Sequence, residues 1–364
     1  MDFSPSVYEH AAFLIGRTPW EVSRDAELLF AAHAEAFRRY AHAPIVVGID
    51  IYNLEAEAYG GVIARPHGTG IPAIGKPICS SVDELAELPP LDPTTAGRIP
   101  MVIEVAGRLA RRFPEADVRV PLSGPFSIAA NLVGFETLLC EALTRPAAVA
   151  AALEHLVEGQ VAFCEAVCRH PAVGGMCGCH TRPWRWGVCA DAIPHHRTGT
   201  RLGVAFFESA AAPPLLSPEL FRTVELPALR SIIDRTSQVV GRPVPCVIGG
   251  DTTPILEPIL ETGTGMVVCP IETDQEAFLR KIWDRTDVRV RVNTSSQVMV
   301  YGTRAELRGE FERIVRLTAG RGNVCLGTGA LPYETPPENV LWLKQLCQAH
   351  QRAAGGGTAG ALGH

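Results

Sequence analysis

Two kinds of residue in this 364-residue chain could do chemistry. The first is a run of soft donors, GGMCGCHTRPWRWGVCADAIPHHR (174–197), which gathers Cys177, Cys179, His180, Cys189, His195 and His196 in one short stretch. Thiolates and imidazoles are the ligands that zinc and other transition metals take, although this spacing matches no standard zinc module. The same stretch also reads as a lid, with Trp184 and Trp186 as apolar covers and Arg182 or Arg185 offered to an anionic ligand. The second kind is a set of polar residues that end or follow short apolar runs: Asp50, Glu55, Glu57, Glu208, Asp251, Glu272, Asp274 and Asn293. A carboxyl crowded into a cleft has its pKa raised and can serve as a general acid or base, and its alternative employment is to cap the next helix. Asp50, Glu208 and Glu272 are the preferred site acids. Cys246 in PVPCVIGG and Cys269 in MVVCP end successive apolar runs, so two thiols could face one end of a sheet, or each could fill a small core position.

Residues so placed need a scaffold of repeated strands and helices. Val- and Ile-rich runs at 45–50, 118–122, 204–207, 244–248, 266–269, 288–293 and 324–327 alternate with longer amphipathic segments, the pattern of βα units around a parallel sheet or barrel. An eighth strand is expected near Val102. Ser81 with Glu84, Thr303 with Glu306 and Thr335 with Glu338 have the spacing of capping boxes, the last followed by Pro336 and Pro337 in a first turn. Along 146–169, Leu153, Leu156, Val157, Val161, Cys164 and Cys168 recur at helical spacing, which makes the two cysteines core residues rather than a metal pair.

The composition is 47% hydrophobic and 20% charged, enough apolar material for one large core. The net charge of -6 is spread without a basic run, which argues against nucleic-acid and anionic-membrane partners and for a small molecule. Neither a leader pattern nor an uninterrupted apolar span of membrane length appears, so a cytoplasmic chain is expected. Eleven cysteines are scattered through it, and most are expected to be reduced thiols. The expected organisation is one barrel over 1–350, with an N-terminal helical extension and an insertion at about 171–200, followed by a Gly/Ala-rich tail at 351–364. No P-loop, dinucleotide fingerprint or GxSxG elbow occurs.

Four segments resemble, in order, the uroporphyrinogen decarboxylase superfamily: IVVGIDIYNLEAEAYGG (45–61), LSGPFSIAANLVG (122–134), FFESAAAPPLLSPELFRTVELPALRSI (206–232) and NVCLGTGALPYETPPENV (323–340). The resemblance implies a (β/α)8 TIM barrel with its site at the C-terminal mouth, here carrying a Cys/His-rich insertion. It also implies one of two chemistries. In the decarboxylases an aspartate at the end of the first strand holds pyrrole N–H groups, and Asp50 matches it; Ser209 is retained, while Asn131 and Thr328 stand where that branch has a tyrosine and a histidine. In the zinc methyltransferases, which move methyl groups between corrinoid proteins and thiols, EAEAYGG and GGDTTPILEPILETGTG find their counterparts, with Val247, Gly249 and Thr328 at the ligand positions.

The resemblance is nearer to the methyltransferase branch. It implies a metal-dependent methyl transfer with a corrinoid or thiol carrier and a corrinoid protein as partner; since Val247, Gly249 and Thr328 stand at the family's ligand positions, zinc or another transition metal would instead be held by donors read from this chain's own pattern, Cys246, Cys269, His180, Cys177 and Cys179. Asp50, Glu57, Glu208, Ser209 and Glu272 are the expected catalytic residues, and Asn53, Asn131, Asp251, Asn293 and Thr328 the expected substrate contacts. The alternatives are a cofactor-free decarboxylase or lyase of a porphyrinogen or aromatic acid, with Asp50 stabilising a protonated ring, and a metal-binding barrel built around the insertion. A homodimer is compatible with either.

Overall fold

The computed structural model describes residues 1–171 and 201–356. The run that holds Cys177, Cys179 and His180 therefore lies outside the described residues, as does 357–364.

Eight parallel strands form two arcs. In chain order they are β1 (Asp2–Ser6), β2 (Ile45–Val46), β3 (Asp117–Ser123), β4 (Arg201–Phe207), β5 (Cys246–Val247), β6 (Met266–Cys269), β7 (Arg289–Asn293) and β8 (Val324–Ala330). One arc has the order β2-β3-β4-β5 and the other β1-β8-β7-β6, all neighbours parallel. The last strand thus returns to the first, with Phe3 opposite Leu326, as barrel closure requires. Thr264 stitches β5 to β6, its hydroxyl accepting from Cys246 N–H and donating to the Val244 carbonyl, both at 2.9 Å.

The eighth strand is at Asp2–Ser6 and not near Val102, which lies in the helix Ile99–Arg112. DFSPS has no β-branched residue and contains a proline, so its composition gives no strand signal; it is a strand because β8 supplies the pairing partner. The strand that Asp50 follows is accordingly the second of the barrel.

The side chains of the sheet sort into two layers, as its alternation demands. Val204, Phe206, Val290, Val292 and Leu326 join the large core between sheet and helices. Tyr8, Val46, Ile51, Ala205 and Phe207, with Tyr52 and Val247 against them, form a second cluster in the lumen. The long helix Pro146–Arg169 is apolar enough to cross a membrane by composition, but Leu153, Leu156, Val157, Phe163 and Cys164 are all fully buried in the outer core.

Helix ends follow the capping logic only in part. Thr303 and Glu306 complete a reciprocal box, as do Thr18 and Glu21. Ser81 accepts from Glu84 N–H, but the Glu84 carboxylate turns to Ser80. Thr335 instead donates its hydroxyl to the Pro332 carbonyl at 2.8 Å.

Candidate active site at the barrel mouth

After β2 the chain turns through Asp50 and Asn53 into the short helix Leu54–Ala58. Asp50 is gripped by Arg98 in a two-pronged pair at 2.8 and 2.7 Å, both side chains being nearly excluded from water. Arg98 also donates to Glu57 at 2.5 Å and to the Ser23 carbonyl, and Arg24 pairs with the other oxygen of Glu57. Asn53 closes the group by donating to Asp50 at 3.2 Å and to the Pro72 carbonyl at 2.7 Å. Asp50, Asn53 and Glu57 are thus brought together, as members of a four-charge network with two guanidiniums. Such bidentate pairs fix geometry strongly, and they occupy the carboxylate oxygens that would otherwise meet a ligand.

Glu208, directly after β4, is fully buried. It accepts from the backbone N–H of Ser127 at 3.2 Å and from its hydroxyl at 2.5 Å. Ser127 lies in the first turn of the helix Pro125–Val133, where free N–H groups favour a carboxyl. A Cβ on Gly124 would fall 1.9 Å from a Glu208 oxygen, so only glycine leaves this carboxyl its space. Against Glu208 lies Glu225, also fully buried. Burial raises the Glu208 carboxyl to about 7 despite the Ser127 hydrogen bonds, and burial followed by the Glu208 charge drives Glu225 further up.

Glu225 ends a π-helical turn, Phe221–Glu225. The cause is in the sequence: Pro227 follows, its ring would collide with the carbonyl four residues back, and it has no N–H to give; the wider turn relieves both. Glu225 is the principal residue that sequence reasoning missed. The signal was there, a proline ten residues inside a helix already begun by Ser217 and Pro218.

Cys246 and Cys269 do not face the mouth. Both pack in the outer core with Phe206, Val290 and Val292, on the opposite side of the sheet from Val247. Strand alternation places them there, since each pairs with an outward-facing neighbour, Phe206 and Val292. Burial, then the charges of Glu208 and Glu225, push the Cys246 thiol well above its ordinary range, and burial does the same to Cys269. Thiols held neutral in this way make poor metal ligands. Among the described residues no group of three or more His, Cys, Asp or Glu converges as a metal site would require, so the described donors do not fit zinc. The eight cysteines among the described residues are all free.

The mouth itself is aromatic. Tyr8 and Tyr52 each stand edge-on to Phe207, with ring centroids 6.1 and 6.3 Å away. The Tyr52 hydroxyl lies 2.5 Å from that of Ser209, both residues half-buried, and burial raises the phenol so that it stays protonated. Asn131 donates to the Tyr52 carbonyl at 2.7 Å. Glu9, just beyond β1, is raised to about 7 by burial, and Glu55, which accepts from Ser123 N–H and hydroxyl at 2.7 and 2.9 Å, is raised to about 7 as well.

The other expected residues are dispersed. Asp251 accepts from Thr273 at 2.7 Å, and Glu272 is exposed on the loop after β6. Thr328 joins the first strand to the last, accepting from Ser6 N–H at 3.3 Å and donating to the Gly329 carbonyl at 2.8 Å. Asn293 lies buried at the end of β7.

Comparison with known proteins agrees with this architecture. The family profile described as Uroporphyrinogen decarboxylase (URO-D) matches residues 5–174 and 202–350. Among solved structures, a methyltransferase from Methanosarcina mazei superposes with a TM-score of 0.73 at 19% identity, over 96% of this chain and 95% of that one. At that identity the likeness shows the fold. Among curated proteins nothing matches.

Proposed function

This chain belongs to the uroporphyrinogen decarboxylase (URO-D) family, and on that premise we propose that it is a methyltransferase working with a corrinoid- or thiol-linked methyl carrier. The observation that carries this reading is the state of Asp50. The aspartate that decarboxylation would need free for pyrrole N–H groups has both oxygens engaged by Arg98. A second support is the lumen, whose Tyr8, Tyr52 and Phe207 rings over Val46, Ala205 and Val247 offer a dry, weakly polar wall. Methyl transfer by in-line displacement gains from such a wall, because water that would solvate and blunt the attacking group is excluded.

In this reading the carrier–methyl bond breaks as the acceptor–carbon bond forms, and the acceptor gives up a proton. Glu9 and Glu208, each raised to about 7, are carboxyls able to exchange a proton near neutrality. The Tyr52–Ser209 hydroxyl pair is the polar fixture that orients the acceptor. Zinc would supply thiolate activation if bound, but the described donors do not provide its ligands, so the reaction is written on the protein's own groups.

The test is to incubate purified protein with methylcobalamin and a simple thiol and to follow loss of the cobalt–carbon absorption together with appearance of the thioether. Enzyme-dependent transfer is expected. Turnover of a tetrapyrrole acid that Asp50→Asn abolishes, with no methyl transfer, would replace this reading by decarboxylation. Metal analysis of the same preparation decides whether a transition metal accompanies the protein.

A further inference from the structure

Arg291 on β7 is 6% exposed, yet its guanidinium makes no ion pair and no hydrogen bond among the described residues, and its Nε is wholly enclosed without a partner. The other deeply buried guanidiniums have their terminal nitrogens engaged: Arg98 by Asp50 and the Ser23 carbonyl, and Arg321, whose Nε is likewise without a partner, by the carbonyls of Ile282, Trp283, Arg285 and Val288. A cation that cannot lose its proton and has no counter-charge is costly to bury, and proteins keep one where a ligand completes it.

The surroundings are built for such a ligand. Asn293, two residues on and thus on the same face of β7, is also 6% exposed, and its side-chain oxygen has no partner. On β8, a Cβ at Gly327 would meet the Asn293 side-chain oxygen at 2.3 Å and the Arg291 Cγ and Cδ at 2.8 and 2.9 Å. Both side chains therefore lie across the bare backbone of Gly327 on the inner side of the sheet, away from Val290 and Val292 in the outer core. Tyr8 belongs to the aromatic cluster on this inner side, and its phenol feels the Arg291 charge.

We propose that Arg291, Asn293 and the Tyr8 phenol form an oxyanion subsite inside the barrel, taking one carboxylate or phosphate group of a small ligand. The guanidinium supplies a two-pronged charged contact, and the amide and phenol supply neutral donors once the Asn293 amide turns its NH2 inward. The subsite does not depend on which reaction the barrel runs, and its failure would leave the methyl-transfer reading untouched.

Calorimetric titration of the full-length protein with inorganic phosphate and, separately, with succinate tests it and tells the two anions apart. At least one is expected to bind in the millimolar range or tighter, with Arg291→Met weakening it tenfold or more and raising the melting temperature of the ligand-free protein, since an unpaired charge is removed. Gly327→Ala, which fills the space under both side chains, is expected to weaken the same anion while Arg291 remains. Binding undiminished in Arg291→Met, no binding of either anion to the wild type, or a lowered melting temperature of ligand-free Arg291→Met would each overturn the proposal.

Discussion

Two clusters of buried acids flank the barrel mouth and are handled in opposite ways. Asp50 and Glu57 each meet a guanidinium, from Arg98 or Arg24. Around Glu208 and Glu225 no cation is paired among the described residues, and the carboxyls share their space with each other, Ser127 and the Cys246 thiol. Burial alone therefore does not decide what an acid does. A counter-charge turns it into scaffold, while its absence raises its proton affinity into the range where acid–base chemistry happens.

The sharpest way to break this contrast is to remove the cation from the paired cluster. Arg98→Met leaves Asp50 buried without a partner and should cost about 3–5 kcal/mol in urea unfolding, with most of it returning in an Arg98→Met, Asp50→Leu double variant. A loss below about 1 kcal/mol would show that the network is not structural. Next is the space reserved for Glu208. Gly124→Ala should cost about 1–3 kcal/mol by overpacking, and adding Glu208→Gly should remove most of the clash, because the carboxyl atoms and the Cβ that a new side chain at 124 would meet all go with it.

A smaller effect separates the clusters by pH. The folded value of Glu208, about 7, stands above its ordinary 4.5, so the native state binds more protons than the unfolded one between those values. Stability from this group is complete below about 4.5, falls as pH rises to 7, and is flat beyond. Glu208→Gln should therefore gain on the wild type as pH rises across that window, by roughly 1–3 kcal/mol. A difference that does not change with pH would mean that Glu208 is not held protonated. The least effect is expected for Tyr52→Phe, about 1 kcal/mol in stability from the lost Ser209 contact, with a reduced methyl-transfer rate as the more telling readout.

Much of the barrel was legible from composition and periodicity, because Val/Ile runs and capped helices are local signals. Seven strands lie where those runs do, and the Thr303 box forms as spaced. Asp2–Ser6 was not legible, since its strand character is conferred by a partner more than three hundred residues away. The site was only half legible. The acids at strand ends could be named, but which of them meets Arg98 and which meets Glu225 depends on contacts between elements that spacing does not encode. The orientation of Cys246 and Cys269 turned on a one-residue phase of the strand, which flips a side chain from mouth to outer core. Arg291 drew no notice in sequence because a basic residue in RVRVN reads as an ordinary edge or surface position.

The pairing of Asp2–Ser6 with Val324–Ala330 also sets an order of events during synthesis. A ring whose opening strand must wait for its closing one cannot be sealed until nearly the whole chain has emerged, so the six strands β2 to β7 emerge with β1 still seeking its neighbour. Contacts of that sequence separation slow folding and leave an edge open meanwhile. The Pro5 within β1, which has no N–H to offer, keeps that waiting edge from pairing freely with another chain.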